Sequence, residues 1–377
     1  MTETLTQDPE IHEQQRLPLG ESFLRKFFEA AAKYEASDLL LRGDQVPKLR
    51  LRGALKALET PAVPSAEFQE AISVALTHGQ RELFEVNGSI DVGVDLDERT
   101  RFRVNIFRSR GRPAIAARRI NNNIMTFEQL HLPAVLRKVT TAHQGLVLVS
   151  GVTGSGKSTT IATMLQMINE SRPCHIVTVE DPIEYLFTDS KAIVSQREIG
   201  IDVPSFDIAL RALVREDPDV VLIGEMRDKE TFEAALQAAE TGHLVFGTIH
   251  ASSTSQAFGR IYDLFPVNER GAIRNLLAYQ TQAFICQKLL VALDEQIARV
   301  PAVEVLLQSP PTRKFILEER EHELDEVIKS ERESGMQTFA DSLVELVEKE
   351  YIHPKVAQSA AASAQEIQMR LRGIKTE

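Results

Sequence analysis

The sequence predicts an α/β protein: a doubly wound parallel sheet, preceded by a small α+β domain and followed by a helical region. Three observations predict it. From about residue 130, apolar stretches of strand length alternate with stretches of helical spacing, the mark of a parallel sheet flanked by helices. Leu146 to Val149 is apolar at every position and ends in Ser150, as a strand covered on both faces requires. Earlier in the chain, Phe102, Val104 and Ile106 alternate with Arg101, Arg103 and Asn105, the period of a half-buried strand in a different kind of sheet.

Residues 1–19 are polar, acidic and without periodicity, and read as a flexible tail. A helix follows, with Phe23, Leu24, Phe27, Phe28 and Ala31 on one face. Strands are expected at Leu39–Leu41, Lys48–Leu51, Ile90–Val94 and Phe102–Phe107. Gly43, Pro47, Gly53, Asn87-Gly88 and Gly111 supply the turns. Together these define a domain over 20–120. Asn121-Asn122-Asn123 opens a linker, 121–133, and a helix is expected near Leu130–Thr141. The core then runs over 134–268: a strand at Leu146–Ser150, a helix from Lys157 to about Ile168, and strands at His175–Val179, Val220–Ile223 and Leu244–Ile249. From 269 to 377 the pattern reads as mostly helical, ending in an Ala-rich stretch over 356–373.

Bulk properties exclude several function classes. Of 377 residues, 43% are apolar and 26% charged, an ordinary globular composition long enough for two or three domains. The net charge of −11 argues against a nucleic-acid partner, whose phosphates would need clustered Lys and Arg. Two cysteines, Cys174 and Cys286, make neither a disulfide framework nor a zinc site and suit a reducing compartment. The N-terminus lacks the basic start and apolar stretch of a signal peptide, and the apolar run near residue 145 falls far short of the ~20 residues a bilayer needs. A cytoplasmic protein is expected.

Gly151-Val152-Thr153-Gly154-Ser155-Gly156-Lys157-Ser158 matches G-x-x-x-x-G-K-[ST] in full, between an expected strand and an expected helix. Glycines let backbone N–H groups turn inward around a phosphate, and the outgoing helix presents its positive end to the same anion. The expected nucleotide-binding set is Gly151, Thr153, Gly154, Ser155, Gly156, Lys157, Ser158 and Thr159. In it Lys157 neutralises β- and γ-phosphate oxygens and the Ser158 hydroxyl ligates Mg²⁺. ATP and Mg²⁺ are the expected cofactors.

Two further strands end in carboxylates. Val220–Ile223 leads into Gly224-Glu225, which places an acid at the carboxyl end of a strand, where ligands of open α/β sheets bind. Glu225 is expected at the metal, reaching it through water. Val177-Thr178-Val179 leads into Glu180-Asp181-Pro182; neighbouring strand residues face opposite ways, so one acid alone would face the nucleotide. Glu180 is expected to be the general base and Asp181 its support, the alternative being that both cap the turn before Pro182. His243 and His250 bracket Leu244–Ile249. Either they are structural, or both belong to the site, His250 sensing the γ-phosphate or orienting an acid and His243 helping to bind the nucleotide.

Residues 99–119 hold eight arginines: Arg99, Arg101, Arg103, Arg108, Arg110, Arg112, Arg118 and Arg119. They form either a solvated basic face or a supply of Arg fingers for a nucleotide, in cis or from a neighbouring subunit.

At this point the residues carry a family. The chain resembles the type II/IV secretion superfamily of hexameric ATPases and, within it, the PilT/PilU family of type IV pilus retraction ATPases. Thr178-Val179-Glu180-Asp181-Pro182-Ile183-Glu184-Tyr185 is similar to the family's Asp box. Arg215–Asp219 with Gly224-Glu225-Met226-Arg227-Asp228 is similar to its Walker B region, and Thr241-Gly242-His243 through His250–Ser253 to its His box. Ala272-Ile273-Arg274-Asn275-Leu276-Leu277 and Gly335–Phe339 resemble stretches of the retraction motors.

The resemblance implies a PAS-like first domain, a RecA-like P-loop core and a homo-hexameric ring. Arg103 and Arg118 fall where the family's nucleotide-facing arginines lie. It also implies ATP hydrolysis driving pilin depolymerisation and twitching motility, a platform protein at the cytoplasmic face of the inner membrane as partner, and a paralogous retraction ATPase as a second one. The superfamily's assembly motors carry a four-cysteine zinc motif that two cysteines cannot make, which weighs against extension or secretion. The long tail ending in Met369-Arg370-Leu371-Arg372 is more like PilU, an accessory motor; Arg274-Asn275 is more like PilT.

Overall fold

The computed structural model describes Leu17 and residues 22–51, 53–97, 100–120, 122–213, 215–294 and 299–374. The expected tail over 1–19, Leu17 apart, and Arg99 and Asn121 lie outside these. The chain divides into two compact units. The first comprises residues up to 123 with 182–186 and 198–204; the second holds 124–181, 187–197 and 205 onward.

The first unit is built on strands β1 (Asp38–Arg42), β2 (Lys48–Leu51), β3 (Ala54–Ala57), β4 (Ser89–Asp97), β5 (Thr100–Ser109) and β6 (Arg112–Arg119). They form one antiparallel sheet in the order β3-β2-β1-β6-β5-β4. Helices α1 (Arg25–Lys33), α2 (Ser65–Ala75) and α3 (His78–Asn87) complete it. The period-two reading of β5 holds: Phe102, Val104 and Ile106 are fully buried in the core with Phe28, Leu39 and Phe68. Phe28 meets Phe102 edge-on, ring centroids 5.1 Å apart.

Two strands of this unit escape the sequence reading. β3 is exposed along its length and so has no apolar period to betray it. β6 is set by its turn: Ser109 pairs with Arg112, which leaves Arg110-Gly111 as a two-residue hairpin with φ of +53° and +75°. Positive φ at both central residues is the type I′ geometry that matches strand twist. Asn87-Gly88 is a helix terminus rather than a hairpin turn, with Gly88 closing α3 in the left-handed region.

The second unit carries α4 (Val135–Val139), β7 (Gly145–Ser150), α5 (Lys157–Ser171), β8 (His175–Glu180), β9 (Ile193–Glu198), α6 (Phe206–Leu213), β10 (Val220–Ile223), α7 (Lys229–Glu240), β11 (Leu244–Ile249), α8 (Thr254–Asp263), α9 (Arg270–Gln280), β12 (Thr281–Val291) and β13 (Arg299–Leu307). The strand order is β13-β12-β7-β11-β10-β8-β9, with β12, β7, β11, β10 and β8 mutually parallel. Alternate residues of each strand serve different cores. Leu146 and Leu148 pack with Phe232, Leu236 and Phe258, while Val147 and Val149 pack with Ile161, Leu165 and Ile168. Both faces are therefore covered, which is why these strands read as unbroken apolar runs.

The expectation of a mostly helical region after residue 268 needs correction. β12 lies beside β7 inside the sheet and pairs antiparallel with β13, so the sheet extends to Leu307. Gln287 and Lys288 interrupt the apolar run of β12, and Pro301 sits in β13. Proline is tolerated there because β13 is the sheet edge. Beyond α9 the remaining helices follow only after β13: α10 (Pro310–Leu317), α11 (Leu324–Ser330), α12 (Phe339–Glu348), α13 (Pro354–Ala360) and α14 (Ala364–Leu371).

Candidate nucleotide site

The loop between β7 and α5 has the conformation that its glycines predict. Gly151, Gly154 and Gly156 have φ of +150°, +77° and +89°. A Cβ on Gly151 would lie 2.5 Å from Gln287 O and from Ser155 Oγ, so nothing larger fits. Helix α5 begins at Lys157 with Gly156 as N-cap and no side-chain cap, which leaves its first N–H groups turned toward the loop. Lys157 Nζ donates to Gly151 O (2.9 Å) and Val152 O (3.2 Å), holding the ammonium over the loop. Ser158 and Thr159 lie in the first turn of α5, half-buried, while Thr153 is exposed on the loop. Ser155 is buried and its hydroxyl lacks a hydrogen-bond partner.

The carboxyl ends of β8, β10 and β11 gather around this loop. Glu180 closes β8 at 8% exposure, and its Oε1 accepts from Thr178 Oγ1 (2.6 Å) and Gln196 Nε2 (3.3 Å). Asp181 is exposed, as opposite facing of neighbouring strand residues requires. Glu225 follows β10 and is bonded by Arg227 and by His250 Nε2 (2.9 Å). The Arg227 guanidinium holds the Glu225 carboxyl below the usual carboxylate range against a partial desolvation cost, with His250 adding to the effect. His250 Nδ1 also faces Gly151 O at 3.2 Å. Each ring nitrogen therefore faces an acceptor oxygen. His250 thus bridges the acid after β10 and the first glycine of the loop.

His243 does not join this group, and its expected nucleotide contact within the chain is corrected. β11 and β7 are in parallel register, Leu244 against Gly145 and Ile249 against Ser150. His243 therefore sits at the far end of a six-residue strand from the loop, a separation of about 20 Å at ~3.3 Å per residue. Its Nδ1 contacts Ala238 O (2.9 Å) and Thr241 Oγ1 (3.1 Å), closing the turn after α7.

The arginines belong to the first unit. Arg103 and Arg118 are cross-strand partners on β5 and β6, and both line a cavity of about 520 Å³ with Asp38, Asp91, Asn105 and Tyr185. Arg103 lies 3.7 Å from Asp91 and Arg118 3.0 Å from Asp38. Others of the cluster have local partners: Arg108 with Glu85, Arg112 with Asp44 (2.7 Å), and the largely buried Arg101 with Asp95 (3.6 Å).

Sequence reasoning missed Gln287, Gln196 and Arg227. The polar pair Gln287-Lys288 inside the apolar run of β12 was the available signal for the first. Gln287 is 3% exposed, donates from Nε2 to Ser155 O (2.7 Å) and accepts from Thr160 Oγ1 (2.8 Å).

With this geometry in place, known proteins supply the context. The profile of the family described as "Type II/IV secretion system protein" matches residues 13–372. This chain belongs to that family. It is similar to the twitching motility protein of Neisseria gonorrhoeae, 39% identical over 319 residues covering 85% of each chain. It is also similar to the type IV pilus retraction ATPase PilT of Pseudomonas aeruginosa, 38% identical over 331 residues, 88% of this chain and 96% of that one. A crystal structure of the pilus retraction motor PilT with bound ADP superposes with a TM-score of 0.84 at 38% identity, covering 92% of this chain and 98% of that chain. The chain is accordingly a nucleotide-binding P-loop ATPase of this family.

Proposed function

We propose that this chain is the hexameric ATP-hydrolysing motor that powers type IV pilus retraction, pilin depolymerisation and twitching motility. The observation that carries it is the meeting of Lys157, Glu180, Glu225 and His250 at the carboxyl ends of the central parallel strands, in a chain that aligns with PilT along most of its length.

In this reading the loop N–H groups and Lys157 bind the β- and γ-phosphates. Glu180 takes the proton of the attacking water as the bond between the γ-phosphorus and its bridging oxygen breaks. Thr178 and Gln196, which anchor Oε1, fix the direction of that carboxylate. His250 links the acid after β10 to the loop and so senses what the loop holds. A magnesium ion would be held by Ser158 Oγ and, through water, by Glu225, and when bound supplies charge neutralisation at the β- and γ-oxygens. The donors fit it: both are oxygens, and Arg227 and His250 keep Glu225 ionised. Among the described residues no three His, Cys, Asp or Glu gather as a dedicated metal cage.

Arg103 and Arg118 act as the fingers of the first unit, which its six-stranded antiparallel sheet supports reading as PAS-like. The second unit is read as RecA-like. The ring would dock on the platform protein at the cytoplasmic face of the inner membrane, alone or beside a paralogous motor. Among the described residues no helix is long and apolar enough to cross a membrane.

The accessory alternative rested on the tail. That tail is built into the second unit: Ile367 is buried with Leu343 and Leu346, and Arg370 pairs with Asp341 at 2.7 Å. It is not a free appendage. The test is a strain lacking the gene, expected to carry surplus pili and to lose twitching, with Lys157→Ala unable to restore it. Normal twitching in the deletion strain would overturn the motor role.

A further inference from the structure

We infer that Gln287 is a positioning residue for the phosphate loop, and that β12 through it joins the nucleotide site to the C-terminal helices; this rests on the ATPase reading above. One buried amide spans the site: Nε2 donates to Ser155 O on the loop (2.7 Å), and Oε1 accepts from Thr160 in the first turn of α5 (2.8 Å). The peptide between Ser155 and Gly156 is planar and trans, so its C=O and N–H point in opposite directions. Tying Ser155 O to β12 therefore turns the Gly156 N–H away from β12, toward where the loop would hold a phosphate.

The loop lies against β12 with no slack. A Cβ on Gly151 would fall 2.5 Å from Gln287 O, and one on Gly156 2.7 Å from Gln287 Nε2. The strand's next residues reach elsewhere. Lys288 Nζ donates to Ala360 O (3.0 Å) and sits 4.4 Å from the Phe339 ring centre, and Leu290 packs with Leu343, Leu346 and Ile367. A shift of the α12–α14 helices is thus carried along one strand to the carbonyl that sets the loop's peptide plane.

The experiment titrates the purified full-length chain with ADP and Mg²⁺ by calorimetry, with melting temperature and steady-state hydrolysis alongside. Gln287→Met keeps length and burial but removes both hydrogen bonds. It is expected to raise the ADP Kd and the ATP KM about ten-fold, the effect of one unsatisfied buried carbonyl, while changing kcat less. Gln287→Glu can still accept from Thr160 but cannot donate to Ser155, and is expected to bind as weakly. Thr160→Val is expected to weaken binding, Thr160→Ser to restore it, and Gln287→Met with Thr160→Val to be no worse than Gln287→Met alone. A merely structural glutamine would lower the melting temperature and leave Kd unchanged. Wild-type Kd and KM in Gln287→Met, or in Gln287→Glu should the first variant not fold, overturn the inference and leave the ATPase reading standing. Wild-type protein that binds no ADP overturns both.

Discussion

Single side chains decide the chemistry. Lys157 is held over the loop by two carbonyls, and Lys157→Ala is expected to abolish measurable hydrolysis while circular dichroism and melting stay those of the wild type. Near-normal turnover in that variant would refute the site. Glu180→Gln keeps an acceptor for Thr178 but loses the base, so kcat should fall by ~10²–10⁴ with ATP still bound, as loss of general-base catalysis produces. A fall below ten-fold would return Glu180 to the alternative of a turn cap. Gly151→Ala should be worse than its one methyl suggests, because that methyl meets Gln287 O and Ser155 Oγ at 2.5 Å; loss of nucleotide binding in a folded protein is the expected outcome. The positions of the phosphate loop, Glu180, Glu225 and His250 at strand ends were legible at this scale because each follows an apolar strand directly; their roles are the proposal. His243 was misplaced because bracketing a strand puts two residues at its opposite ends.

At the scale of elements, the edge of the sheet is tied to α8 by one buried carboxylate. Glu304 on β13 accepts from the N–H and hydroxyl of Thr254, the first residue of α8, each at 2.8 Å. Burial pushes its carboxyl above the usual range, outweighing the pull of the two Thr254 bonds. The sign follows: an acid easier to protonate folded than unfolded costs stability as pH rises from its ordinary value, about 4.3, toward its raised one, and the cost persists above. Glu304→Gln retains an acceptor for Thr254 without the charge. Its melting temperature should exceed the wild type's at neutral pH, the difference vanishing near pH 4; an equal or lower value at neutral pH would contradict this. Elements with a plain period or an unbroken apolar run, β5 and β7, were legible in the sequence. Those shaped by position were not: β3 is exposed, β6 depends on a type I′ turn at Arg110-Gly111, and β12 carries Gln287 for the loop's sake.

For the whole molecule, two units share the work proposed here. Among the described residues Arg103 pairs with Asp91 and Arg118 with Asp38, all in the first unit, and such exposed pairs contribute ~0–1 kcal/mol. Their replacement by Ala should therefore leave melting nearly unchanged, yet lower kcat by up to ~10³ if they act as fingers. Unaltered kcat in both variants would assign them to the solvated face instead. If six chains form the ring, specific activity should rise with protein concentration as the ring assembles. The central claim is that hydrolysis occurs at the carboxyl ends of the central strands, around the phosphate loop. Phosphate release from ATP by the purified chain, wild type against Glu225→Ala, tests it most directly. Mg²⁺-dependent release by the wild type and none above background by the variant is expected; equal rates in the two would contradict it.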